Sequence, residues 1–295
     1  MLHIRSMRSA IAAGFRRMIT GDPAGQPEWV RALETGTDAG YFGPDSAAWA
    51  VHGALPTLIG GMRALLMQAL HPGALAGVLQ HSRYESDPLG RLAGTTQWLT
   101  VVTFGDRAAA DRECARVRGM HRRVRGQYPT PAGPRDYTAD DQDLLRWVHI
   151  AFTDSFLAAH RIWGGAIPGG EDAYVREWAI AGELVGLADP PRSVAELNAQ
   201  VAGYAGVLRG SDDARRTAAF VRDMPVAAAG APAYRALFNG AVATLPAPAQ
   251  ARLGISAPPL PIARAMAGAV LGGLRLALGP YSPSQQAAFR RLDSL

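Results

Sequence analysis

The sequence predicts an all-α fold in a single globular domain, on three observations. Alanine, leucine and arginine dominate long windows, while period-two runs of β-branched residues are missing. Apolar residues recur at helical spacing in several segments. The 295 residues, 48% of them hydrophobic, suffice for one large core, and no internal repeat marks a solenoid or an array.

In chain order, Gly40–Ser46 reads as a turn, with Asp45 or Ser46 able to cap a helix over Ala47–His52. Pro56 to Leu79 is an apolar helical stretch that Pro72 bends or divides. Residues 81–90, HSRYESDPLG, form a polar turn, and a helix resumes at Arg91. Asp106 caps the next helix, 107–125, and a Pro/Gly-rich loop covers Gly126–Arg135. A helix over 139–161 follows, with Thr138 as its N-cap, then one over 171–187, and Pro190–Ser193 opens another. Residues 245–260 read as a Pro/Ala loop. The apolar segment 261–280 is interrupted by Arg264 and Arg275, too short of clean apolar residues for a spanning helix. It reads as a packed helix whose Gly268-x-x-x-Gly272 permits close approach to a neighbour, with docking on a membrane surface as the other reading.

The chemistry turns on the histidines. Ala110, Cys114, Val117, His121 and Val124 step by +4, +3, +4 and +3, one helix face, while the surrounding arginines, Arg125 among them, fall mostly off it. Leu145, His149, Phe152 and Phe156 place His149 on an apolar face in the same way. A buried imidazole without a partner costs roughly 1–3 kcal/mol, so each ring needs a hydrogen bond or a metal. His71 and His81, in and just after the preceding apolar stretch, add to the set; His71 before Pro72 equally suits a bond that mends a broken helix. Pattern alone leaves core histidines and a metallocofactor both open.

Much else is excluded. A single cysteine, Cys114, rules out an internal disulfide and a thiolate-rich metal site. HExxH and Glu-x-x-His pairs are absent, as are GxSxG, Walker A and Rossmann glycine patterns. Two histidines with Asp154 as a facial triad stay open. Haem needs one axial imidazole on an apolar helix, cations for its propionates and an apolar pocket, which suits His121 among arginines. Formal net charge is +5, yet all 30 basic residues are arginine, a bias that weakens any nucleic-acid reading. The basic N-terminus lacks an apolar core of signal-peptide length, so a cytoplasmic location is expected.

Four blocks in order, GGMRALLMQALHPGALAGVLQHS, DPLGRLAGTTQWLTVVTFG, RVRGMHRRVRG and DLLRWVHIAFTDSFLAAH, resemble the MpaB and latex-clearing-protein (rubber oxygenase) family over about residues 40–190. The resemblance implies a globin-like helical core holding one haem b (iron protoporphyrin IX) and oxidative chemistry with molecular oxygen, including cleavage of isoprenoid double bonds. It implies that His121 is the axial iron ligand, that Arg91 and Thr95 act beside the haem on its distal side, and that His149 belongs to the pocket, with Arg125, His81 and His71 as further cofactor-binding positions. The chain departs from the rubber-cleaving branch: Gly94 stands where a lysine precedes the threonine, and no carboxylate lies in LLMQALHPGALAGVL. The expected function is therefore a haem oxygenase, using oxygen or peroxide, for a small hydrophobic isoprenoid, fatty or polyketide-like substrate, by double-bond cleavage or oxygen insertion. The alternative is a non-catalytic haem or lipophile binder. No nucleic acid and no transmembrane segment are expected, only peripheral membrane contact.

Overall fold

A computed structural model describes the backbone of residues 2–81 and 88–295, and the side chains of all of these except 2–7, 88, 89, 91 and 92. The chain is a helical array with one small sheet. It opens with α1 (Leu2–Thr20), the short α2 (Glu28–Arg31) and α3 (Ala47–His52). Ser46 caps α3 as expected, its Oγ accepting the Trp49 N–H at 3.1 Å. Pro72 does divide the apolar stretch: α4 is Thr57–Gln68 and α5 is Pro72–His81. Most of the expected turn at 81–90 lies outside the described residues. On its far side α6 runs Pro88–Phe104, starting at the proline rather than at Arg91.

Asp106 caps α7 (Arg107–His121) through the Ala109 N–H, but the helix stops at His121, four residues earlier than its pattern suggests. The expected loop after it is instead a hairpin, β1 (Arg125–Thr130) paired antiparallel with β2 (Gly133–Thr138). Neither strand alternates in hydrophobicity; only Tyr128 and Tyr137 are buried, and Pro129 lies opposite Pro134. The hairpin is held by its backbone ladder and by α5, where Gln80 donates to the Gln127 carbonyl and accepts from the Tyr137 hydroxyl. α8 runs Gln142–Trp163, and Thr138 is not its cap. Thr138 ends β2 and bonds to Asp141, the residue at the helix start, with its N–H and hydroxyl.

α9 (Gly170–Leu184) and α10 (Val194–Gly203), the latter capped by Ser193, follow the expected order, and α11 is Asp212–Arg222. α12 (Ala231–Ala243) leads into α13 (Ala247–Leu253), a helix within the segment expected to be loop; Pro246 precedes it and Gly254, at φ +64°, ends it. α14 (Leu260–Leu278) and α15 (Pro283–Leu292) complete the chain.

The centre of the packing is α4 against α8. Gly60 makes this contact possible: a Cβ there would lie 2.6 Å from the Phe156 ring. The same interface buries Arg63, whose guanidinium donates to Asp154 at 2.6 Å and Ser155 at 2.8 Å. α12 packs on α14 through Gly240, where an added Cβ would meet Ala267 at 3.2 Å. Gly268 and Gly272 do not make the close approach expected of them; a Cβ on Gly268 would make only ordinary contact with Trp163, and one on Gly272 would meet nothing within 4 Å.

Candidate functional site

His121 is the last residue of α7. Ala110, Cys114 and Val117 on its stripe are buried, and the imidazole itself is half-buried with Nδ1 enclosed and without a hydrogen-bond partner. Burial lowers its pKa, with Asp140 pulling weakly the other way, so the ring is held neutral. The neighbours Arg122, Arg123 and Arg125 are exposed, as the off-stripe spacing requires. Cys114, one turn before Val117, is buried and its thiol is pushed up to about 11, which makes it a packing residue and no nucleophile.

His149 lies in the middle of α8, buried, with its pKa pushed down to about 4 by burial and its Nε2 without a hydrogen-bond partner. Its ring rests against the α9 backbone at Gly182, where a Cβ would come within 3.0 Å of Cε1 and Nδ1. Two residues further along α9, the Leu184 carbonyl accepts a hydrogen bond from Arg118 of α7. The last turn of α9 thus touches the helix that carries His149 and the one that carries His121. Half-buried Trp98 and Leu99 of α6, Val124, and Val148 and Phe152 of α8 pack against the same core.

The other expected positions are bound up differently. His71 caps α5: its Nδ1 accepts the Ala74 N–H at 3.3 Å, and its Nε2 faces Asp143 Oδ2 at 3.6 Å. The ring is fully buried between Trp147 and Tyr204, so the helix-mending role describes it well. His81, exposed at the end of α5, has Nε2 at 2.8 Å from the Arg125 carbonyl. Arg125 is exposed, donates to the Arg122 carbonyl, and lines an open hollow of about 480 Å³ with Tyr137, Asp136 and Asp141. Thr95 is half-buried in α6; the Arg91 side chain lies outside the described residues, although its helical position four before Thr95 is as expected. A facial triad is not formed: Asp154 is committed to Arg63, and among the described residues no group of three histidine, cysteine or acidic side chains could hold a metal ion.

Sequence reasoning missed Asp140, which acts on His121 electrostatically, Gly182 beneath His149, and Arg118, which ties α7 to α9. Arg118 sat in the quoted basic run and was legible as a cation; its target, a carbonyl 66 residues away, was not.

The class of protein so defined is a largely helical core in which, among the described residues, five imidazoles, those of His52, His71, His121, His149 and His160, each keep one enclosed nitrogen without a hydrogen-bond partner. The chain belongs to the family described as ER-bound oxygenase mpaB/B′/rubber oxygenase, catalytic domain, whose model matches residues 49–276. The match extends well past the region near residue 190 where the resemblance of separate blocks ends, taking in α10 to α13 and most of α14. An oxygenase class follows for the chain. The description also corrects the cytoplasmic expectation, because it identifies the family as ER-bound. Nothing among curated proteins or solved structures matches the chain.

Proposed function

We propose that the protein is a haem b-dependent oxygenase of a small hydrophobic substrate, with His121 as the iron ligand in a globin-like core. The observation that carries this is the family match over residues 49–276; beside it stands the enclosed, unpartnered Nδ1 of His121 on a ring whose pKa burial lowers, a deficit that His52, His71, His149 and His160 share at one nitrogen each. An enclosed imidazole nitrogen without a partner forfeits roughly 1–3 kcal/mol, and a neutral ring is the form that ligates iron. His149, with an unpartnered Nε2 and Gly182 against its ring, would be a second pocket residue for the group.

Haem, when bound, would supply the redox chemistry that activates molecular oxygen or peroxide. The chain's own groups do the rest. Arg125 and its exposed neighbours present guanidinium donors for propionate carboxylates. Arg91 and Thr95, one turn apart on α6, would donate hydrogen bonds to negative charge that develops beside the substrate. Half-buried Trp98, Leu99, Val148 and Phe152 would exclude water and hold an isoprenoid, fatty or polyketide-like molecule. His71 and His81 support this site indirectly, the first by capping α5 and the second by tying α5 to β1.

The test is the absorption spectrum of protein expressed with ample iron and haem precursor. A Soret band that His121→Ala removes or displaces supports the reading. A colourless wild type free of iron, or a band indifferent to that substitution, refutes it. Oxygen consumption after reduction, with isoprenoid or fatty substrates present, separates turnover from mere binding.

A further inference from the structure

Helix α14 is long and apolar enough to cross a membrane, yet it is built into the helical array along one side only. Ala263, Ala267 and Leu271 are buried against α12 and α8, in the cluster that holds Ile59, Ala159 and Leu237. On the far side Ile262, Met266, Ala269, Gly273 and Leu276 step by +4, +3, +4 and +3 and are all exposed, Leu276 to 72%. An apolar stripe four turns long, facing solvent, calls for a cover.

Charge selects the cover. From Met224 to Leu292 the sequence contains no aspartate or glutamate. α1, which packs along α14, has none either, and its Arg8 donates to the Leu276 carbonyl. Several arginines elsewhere are ion-paired, as in Arg161–Glu171, Arg192–Glu183 and Arg216–Asp213. Arg8 and Arg17 of α1 and Arg264 and Arg275 of α14 make no ion pair among the described residues. A second copy would bring two such cationic, acid-free faces together, which repel; an anionic lipid surface is complementary to both the charge and the apolar stripe.

We propose that the exposed stripe of α14, with the unpaired arginines of α1 and α14, docks the protein flat on an anionic bilayer surface. The helix lies in the interface and does not span, because the Ala263–Leu271 side stays committed to α12. This names a face of the chain, and it stands or falls apart from the haem reading.

Co-sedimentation of the full chain with vesicles of phosphatidylcholine, with and without phosphatidylserine, tests it. Binding should require phosphatidylserine and weaken as salt rises. Arg264→Gln and Arg275→Gln should each weaken it about fivefold, and Met266→Glu should abolish it with the melting temperature unchanged. Should Met266→Glu melt early, Leu276→Ser, at the most exposed site on the stripe, takes its place. No binding to either vesicle, or binding that these variants leave intact, overturns the proposal. So does a concentration-dependent dimer that Met266→Glu dissociates, which assigns the stripe to a second copy.

Discussion

The ring of His52 packs 4.0 Å from Trp178 and 4.9 Å from Phe156 between centroids, and burial, helped by nearby His160, pushes its pKa down to about 3. His149, His121 and His160 are lowered too, each chiefly by burial. In the unfolded chain these rings take up a proton near pH 6.5, whereas in the folded protein they do so only at lower pH. Below that pH the unfolded state therefore binds more protons, so stability is full above it and falls as pH drops toward 4, by up to about 1.4 kcal/mol per pH unit for each of His52 and His149, whose folded values lie near 3 and 4. His52→Phe removes one ring, and the melting temperature should then vary less steeply between pH 6 and 4. An unchanged slope would mean that His52 titrates normally. Gly182→Ala sets two effects against each other. Helix propensity favours alanine by roughly 1 kcal/mol, while the 3.0 Å approach to His149 costs about 1–3 kcal/mol. A modest net loss of stability is expected, together with a shift of the haem absorption band in the loaded protein; a band that stays in place would remove His149 from the pocket.

Among the elements, α4 and α8 carry both the core and its most costly polar contact. Arg63 is 3% exposed and Asp154 17%, so neither charge has water enough to replace its partner. Arg63→Met strands Asp154 and should cost about 3–5 kcal/mol, while the pair Arg63→Met with Asp154→Leu should recover most of that loss. Equal losses in the single and double variants, measured by urea unfolding, would show that the salt bridge is not what the site needs. Capping is cheaper and local: Asp106→Ala frees one N–H at the start of the helix that bears His121 and should lower stability by about 1 kcal/mol. Asp106 was legible as a cap and Ser46 as one of two candidates, because a short polar side chain before an apolar-periodic run has few other uses; Ser193 was legible only as part of a segment that opens a helix. The hairpin was not legible. Its strands depend on cross-chain backbone bonds and on Gln80 and Tyr137 meeting from separate segments, and neither leaves a period in the sequence. α7 likewise ends at His121 because the chain turns into β1, although Val124 continues the helical spacing.

For the molecule as a whole, cofactor binding and folding are linked. If haem binds the folded state alone, an excess of about 100-fold over its dissociation constant adds about 2.7 kcal/mol, and the holo form should melt several degrees above the apo form. Identical melting curves with and without haem would leave the buried imidazoles as packing groups. The sequence by itself determined that the protein is helical, that His121 and His149 face inward, that the arginines beside His121 face outward, and to which family the chain is similar. All of these follow from period and residue type along one stretch of chain. Only the tertiary structure decided which imidazole nitrogens go without partners, since His81 finds one in the Arg125 carbonyl, 44 residues away, while His121 Nδ1, His149 Nε2 and His71 Nε2 find none. It alone decided that α14 is covered on one side only. Partner satisfaction and exposure depend on what folding brings alongside a residue, and the local pattern carries no record of that.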